Sequence, residues 1–433
     1  MQSADKVLRF AGDVSIDKCD ITTSGGIKQD IAAQVIAISI YEDLFSPFIT
    51  GSLILKESFD LVNLFPFVGE EMIDIEINTP TLETSKNIKG KFYIYKMSDR
   101  ELVGDKNIVY QLHFISIEAI IDLNKKISKV YTGSPADIVK SLVTDSFNGL
   151  QSKKEVFVEP TSKDIKFISN FWSPVKAINF ATNYAINKNQ SPSYVFFENR
   201  FGFYFVSLDS LYANGTYQEF TYDKYTRDKI GTGQLSSDAR NIKEDYRRID
   251  NISIPTGYDY MDRLRSGMFS SKLTSFDINK KQYNVKNYDA TNDFESLNHL
   301  NKNPVIGDNA IFRSNSLLIN YPRDNANFSG FSDSTNFKNL QKRISLMKMA
   351  EANKIEITVP GRADYTVGQK VAVTLNKIEP ASAKDSDTDL IDEMFSGFYL
   401  ISAINHYITR ERHECNMELI KDSLQLSIDR KKK

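Results

Sequence analysis

Few side chains in this sequence could do covalent or metal chemistry. The chain carries four histidines and two cysteines in 433 residues, which leaves little for imidazole or thiol catalysis. His406, His413 and Cys415 come nearest to a ligand set. On a strand, His413 and Cys415 share a face, yet that face runs on into Met417 and Leu419. The pattern reads as a buried thiol and an edge histidine rather than a zinc site. His113 and His299 have no Cys, His or acidic cluster at ligand spacing around them.

The other motifs fall short in specific ways. Asp385, Asp387 and Asp389 match the first three positions of a calcium loop, but Leu390 replaces the turn glycine and Ser396 the bidentate glutamate. A solvated hairpin loop is the expectation. Gly231-Thr232-Gly233 has Ser236 where a dinucleotide fingerprint needs its third glycine, and reads as a turn. No phosphate-binding GKS/T string and no Gly-x-Ser-x-Gly elbow occurs. Phe171-Trp172 and the aromatic segment after it read as core before they read as a stacking platform. A carboxylate pair is defined by distance in space, so a cell-wall or metal-dependent hydrolase remains the rival reading. No catalytic residue, metal or cofactor is expected.

Charge and composition narrow the class. Lys and Arg number 54 against 56 Asp and Glu, a net charge of −2. A protein that coats nucleic acid needs a basic excess, and this one has none. Cys19 and Cys415 lie at opposite ends of the chain, which makes no disulfide framework and suits a reducing compartment. The first twenty residues include Asp5, Lys6, Arg9, Asp13, Asp17 and Lys18, with no apolar stretch for a signal peptide. No run approaches the roughly 18 apolar residues of a membrane span, so no stable membrane insertion is expected. The 28 Phe and 21 Tyr favour strands over disorder.

Periodicity supplies the elements that would position any site. Glu71 to Asn78 alternates, with Ile73, Ile75 and Ile77 on one face and Asp74 and Glu76 on the other, as a half-buried strand requires. Strands are also expected at 31–41, 48–57, 91–97 and 108–118, with turns between them and no helical pattern, which suggests an antiparallel barrel or sandwich. Ser134-Pro135 and Ser173-Pro174 each open a helix. An aromatic hairpin follows at 194–208 around Asn199-Arg200. Residues 281–336 show little periodicity and their elements are not placed. Leu340, Ile344 and Met347 stripe a helix ending near Asn353, and strands return at 355–359, 371–375, 398–408 and 413–420. No short-period repeat is visible.

Several segments together carry a resemblance. They are Ile165 to Val175 with its helix, the hairpin Tyr194 to Tyr204, Val359-Pro360-Gly361, Val367-Gly368-Gln369-Lys370-Val371, and Gly397 to His406. In this order, over about 30–425, they resemble the baseplate hub proteins of contractile-tailed bacteriophages. The late-control D protein of other phages and the N-terminal half of VgrG proteins look similar. VgrG carries its spike in the same chain, whereas this sequence stops after the second β unit.

The resemblance implies an α+β, β-rich fold with two similar antiparallel β-barrel domains and inserted α+β material. Residues 1–120 would form the first barrel, 121–222 an α+β domain, and 223–280 with 340–425 the second barrel. Residues 281–339 would be an insertion packed on the α+β domain, and 426–433 a basic tail. It also implies a homotrimer joining a sixfold tail tube, or its initiator proteins, above to a threefold spike protein below. DNA would pass through without specific binding, other baseplate proteins would adjoin, and the site would be the virion tail, assembled in host cytoplasm. Asp74 and Glu76 would line the channel, where negative charge keeps DNA from sticking. A VgrG-like secretion component is the third reading.

Overall fold

The computed structural model describes residues 8–59, 61–64, 67–80, 82–83, 86–222, 242–255, 258–277, 281–305, 317–322, 334–377 and 391–427. The Gly231-Thr232-Gly233 turn, the acidic loop at 385–389 and the lysine tail lie outside them.

The alternation read from the sequence becomes strands. The first half holds β1 (Ser15–Thr22), β2 (Lys28–Asp30), β3 (Val35–Asp43), β4 (Thr50–Glu57), β5 (Met72–Asn78), β6 (Ile88–Val103) and β7 (Asn107–Ser116). Ile73, Ile75 and Ile77 of β5 are fully buried with Cys19, Leu53, Leu55, Leu112 and Phe114 in one core. Asp74 and Glu76 point the other way, only partly buried.

The middle section holds β8 (Ile127–Gly133), β9 (Glu155–Val158), β10 (Ile165–Trp172), β11 (Tyr194–Asn199) and β12 (Gly202–Ser207). Helices Pro135–Thr144 and Pro174–Tyr184 start where the Ser-Pro pairs predict. The Ser134 and Ser173 side chains accept from the Asp137 and Lys176 N–H groups, satisfying free donors of the first turn. Every residue of β11 is buried because both faces of the hairpin are covered. Tyr194, Phe196, Phe203 and Phe205 pack under the helices, while Val195 and Phe197 join the core of the second half. The aromatic hairpin is thus core on both sides, with Phe196 stacked on Phe203 at 5.6 Å.

The rest holds β13 (Thr216–Tyr222), β14 (Asn251–Ser253), β15 (Ser270–Asp277), β16 (Gln282–Asp289), β17 (Asn303–Pro304), β18 (Leu317–Pro322), β19 (Asn353–Pro360), β20 (Lys370–Leu375), β21 (Gly397–Thr409), β22 (His413–Lys421) and β23 (Ser423–Leu424). The span without legible periodicity contributes β16, which forms a hairpin with β15 just ahead of it, and β18, which lies parallel to β15. Helix Ser334–Ala350 packs there with a face the sequence did not advertise. Leu340, Ile344 and Met347 are only partly buried, whereas Gln341 and Ser345 are buried. Their donors are satisfied: Gln341 Nε2 donates to the Ser271 carbonyl at 2.8 Å and Ser345 Oγ to that of Met268 at 2.5 Å, while Gln341 Oε1 stays buried without a partner.

Setting aside the short β2, each half has six strands in its sheet, and both halves order them alike. The first half runs β3–β4–β7–β6–β5–β1 and the second β14–β19–β22–β21–β20–β13. In chain order, each run is second, third, sixth, fifth, fourth, first. Neighbours are antiparallel throughout, except that β13 lies parallel to β20 where β1 is antiparallel to β5. Each half also closes on itself through the chain just ahead of its second strand. The Ile31 N–H donates to the Cys19 carbonyl at 2.9 Å, and the Ile249 N–H to that of Thr221 at 3.0 Å.

Finer details repeat as well. Gly90-Lys91-Phe92-Tyr93-Ile94 on β6 corresponds to Gly397-Phe398-Tyr399-Leu400-Ile401 on β21, and each is followed by a one-residue bulge, at Tyr95 and Ser402. Gly69 and Gly368, ahead of the fourth strands, both have positive φ, 92° and 83°.

The two halves merge into one 13-stranded sheet. Residues 397–400 of β21 pair with β20, and residues 403–409 pair antiparallel with β3. Among the described residues, no helix is long and apolar enough to cross a membrane.

Candidate functional site

The histidines and cysteine singled out in the sequence do come together. His406 Nδ1 lies 3.0 Å from His413 Nε2, and Cys415 Sγ lies 3.4 and 3.5 Å from those atoms. They form the one group of three or more metal-capable side chains among the described residues. His413 is not the edge histidine expected. Its strand runs between β19 and β21, its N–H donates to the Gly12 carbonyl at 2.8 Å, and it is fully buried. Gly361 lies so close that a Cβ there would sit 2.3 Å from the His413 ring. Burial depresses both imidazoles, His413 to about 3, and raises the Cys415 thiol. Two nitrogens and a sulfur make three donors where a closed zinc site takes four. The arrangement is a desolvated hydrogen-bonded knot with no route for a substrate.

Acidic groups are likewise consumed internally. Lys154 Nζ lies 2.8 Å from Glu118 and 2.5 Å from Glu198, whose carboxylate also accepts from the Ile49 N–H at 3.0 Å. Glu42 of β3 accepts from Thr366 Oγ1 at 2.5 Å and from the Val367 and Arg200 N–H groups at 3.2 Å. These contacts bolt the middle section and both halves together. A cavity of about 10 Å³ lined by Asp209, Tyr212, His299 and Asp422 is too small for a substrate.

The extended feature is a sheet face. Across β19, β22, β21, β3, β4, β7 and β6 the side chains alternate between the two cores and an outward polar surface. One lateral row reads Thr358, Asn416, Asn405, Tyr41, Thr50; the next reads Glu414, Tyr407, Ser39, Ser52, His113, Lys96, with Ser39 and Ser52 buried between their larger neighbours. Thr358 Oγ1 donates to Asn416 Oδ1 at 2.8 Å, and His113 Nε2 lies 2.9 Å from Ser98 Oγ. Both signs of charge occur, with Glu356, Glu414 and Glu418 offset in part by Lys354 and Arg412. Sequence reading missed this face because its continuity depends on the β21–β3 pairing of residues more than 350 apart.

Asp74 and Glu76 lie on β5, outside that run of strands. Lys18 pairs with Asp74, and Lys89 Nζ lies 2.8 Å from Glu76. Their strand face is a lattice of alternating charge rather than a negative patch.

No protein-family model matches the chain, and no curated protein matches it. Solved structures do. A tail protein from Neisseria meningitidis MC58 is 12% identical, with a TM-score of 0.53 over 94% of this chain and 97% of that one. The 43 kDa tail protein of prophage MuSo2 from Shewanella oneidensis is 10% identical, with a TM-score of 0.51 over 95% and 100%. At such identity the likeness is one of fold: this chain has the fold of phage tail proteins along nearly its whole described length.

Proposed function

We propose that this chain is the structural hub of a contractile tail, three copies forming a closed ring of six barrels. Such a ring would mate with a sixfold tail tube on one side and a threefold spike protein on the other, leaving a channel for DNA. The carrying observation is the doubled strand order: two six-stranded halves ordered alike, differing in the direction of the first strand, and fused edge to edge in one sheet. A polypeptide that supplies two near-equivalent units can satisfy six positions with three chains. Whole-length likeness to two tail proteins supports the reading. The buried, internally paired histidines and carboxylates favour a structural role over a hydrolase, since no described cleft presents them to a substrate.

On this reading the polar face of β19, β22, β21, β3, β4 and β7 is the channel wall. Because β5 lies outside that run of strands, the same reading would put Asp74 and Glu76, expected in the channel from the sequence, on the outer wall. The test is the particle formed by the full chain with its spike protein. Electron microscopy should give a threefold ring with six similar lobes. A single-copy particle, or lobes stacked without an axial opening, overturns the reading.

A further inference from the structure

The seam between β21 and β3 has two unused counterparts on the same chain. β21 is the fifth strand of its half and β3 the second of its own. The fifth strand of the first half is β6, and the second strand of the second half is β14. Past its bulge, β21 turns residues 403–409 to β3. Past its own bulge, residues 96–103 of β6 pair with β7 on one side, and no described strand takes the other. Among the described strands, β14 pairs only with β19.

The register carries over at the strand ends, although β6 has a second bulge between Ser98 and Glu101 that β21 lacks. Ile408 lies opposite His413 on the sixth strand, as Leu102 lies opposite Ile108. Ile38 lies opposite Leu53 on the third strand, as Ile252 lies opposite Ile357. Inside the chain Ile408 faces Ile38, and both are 0% exposed. Their counterparts are less covered: Leu102 is 70% exposed and its neighbour Val103 46%, while Ile252 is half-buried and Ile254 beyond it 38% exposed. A long free edge with exposed apolar side chains is a liability unless something covers it. Here the fold itself contains a copy of the cover.

We infer that β6 of one copy pairs antiparallel with β14 of a second copy of this chain, repeating the internal β21–β3 seam between subunits. Leu102 then faces Ile252, Glu101 faces Ser253, and Val103 faces Asn251. The occupant is this chain because the only strand pairing of this kind on display, β21 with β3, is the chain's own. The inference rests on the ring reading and supplies its contact.

The test mixes full-length Leu102→Cys with full-length Ile252→Cys and applies a short thiol cross-linker; Cys19 and Cys415 are buried and stay out of the reaction. The mixture should give a two-chain product that neither variant gives alone. A single chain carrying both substitutions should give a product ending at three chains. Three-copy particles by mass without cross-links would overturn the seam and leave the hub reading standing. Cross-linked products growing beyond three would keep the seam and overturn the closed trimer. A chain that stays single and unlinked at every concentration overturns the seam. Leu102→Asp guards against misfolding: its side chain is already exposed in the single chain, so thermal unfolding of the monomer should not change, while self-association weakens at least about tenfold. Unchanged association in that variant also overturns the seam.

Discussion

His406 and His413 are neutral because water cannot reach them, and that has a pH consequence. Both folded pKa values lie below the unfolded value of about 6.5, His413 at about 3, with burial as the main cause. A depressed histidine contributes stability that is full above the unfolded pKa and lost as pH falls toward the folded one. At pH 5.5, one unit below the unfolded value, each imidazole should cost about 1.4 kcal/mol. His299 moves the other way. Burial lowers it, but the Asp422 carboxylate 2.5 Å from Nδ1 outweighs that and raises it, so its contribution is present in acid and fades as pH rises. Acid loss between about pH 6.5 and 4 therefore reports on the knot. The thermal midpoint of the wild-type chain should drop over that range, and His413→Gln should lower the midpoint at pH 7.5 while flattening the slope below it. An equally steep slope in the variant would remove the knot as the cause. Here the sequence was half legible: the buried thiol followed from the Cys415-Met417-Leu419 face, but the buried histidine needed the knowledge that β22 has a neighbour on each side.

At the scale of elements, alternation and Ser-Pro caps were enough to find most strands of both halves and two helices of the middle section, though not Ile117–Asn124 or Leu208–Ala213. The failures have a common physical cause. Helix Ser334–Ala350 buries Gln341 and Ser345 against carbonyls, so its inward face is not its apolar face. The twofold repeat was invisible because strand order demands only inward apolar positions, and Gly90 with Gly397 or Phe92 with Tyr399 are too few to show as a period. One glycine does mark where strands crowd. A Cβ on Gly51 of β4 would lie 2.2 Å from the Phe114 ring of β7 and 2.5 Å from the Ser39 carbonyl of β3. Gly51→Ala should destabilise the chain by about 1–3 kcal/mol in denaturant titration, as overpacking does. Gly215, with open space around its Cβ position and no positive φ, is the control, and its alanine variant should be neutral or slightly stabilising. Equal effects at both positions would mean that the β3–β4–β7 contact yields more easily than its geometry implies.

For the whole molecule, the proposed ring decides which charges DNA would meet. The strands that join barrel to barrel present Glu356, Glu414 and Glu418 outward, with Thr358, Asn416, Asn405 and Ser39 between them. In the proposed ring, a wall of mixed polar groups of both signs would give DNA phosphates no cluster of cations to neutralise, and passage without retention would follow. β5 lies outside this run, and its carboxylates are already matched by Lys18 and Lys89. Asp74→Lys should therefore leave DNA binding by the assembled ring unchanged, although it places two cations together and should cost some stability. Glu356→Lys combined with Glu414→Lys would add positive charge at every repeat of the wall. That ring should retain DNA at low salt and release it as salt rises, with the logarithm of affinity falling linearly against the logarithm of salt concentration. Filter binding on rings of matched mass separates the cases. If Asp74→Lys rings retain DNA and the double variant does not, the channel wall lies on β5 and the lumen assignment of the continuous face is wrong.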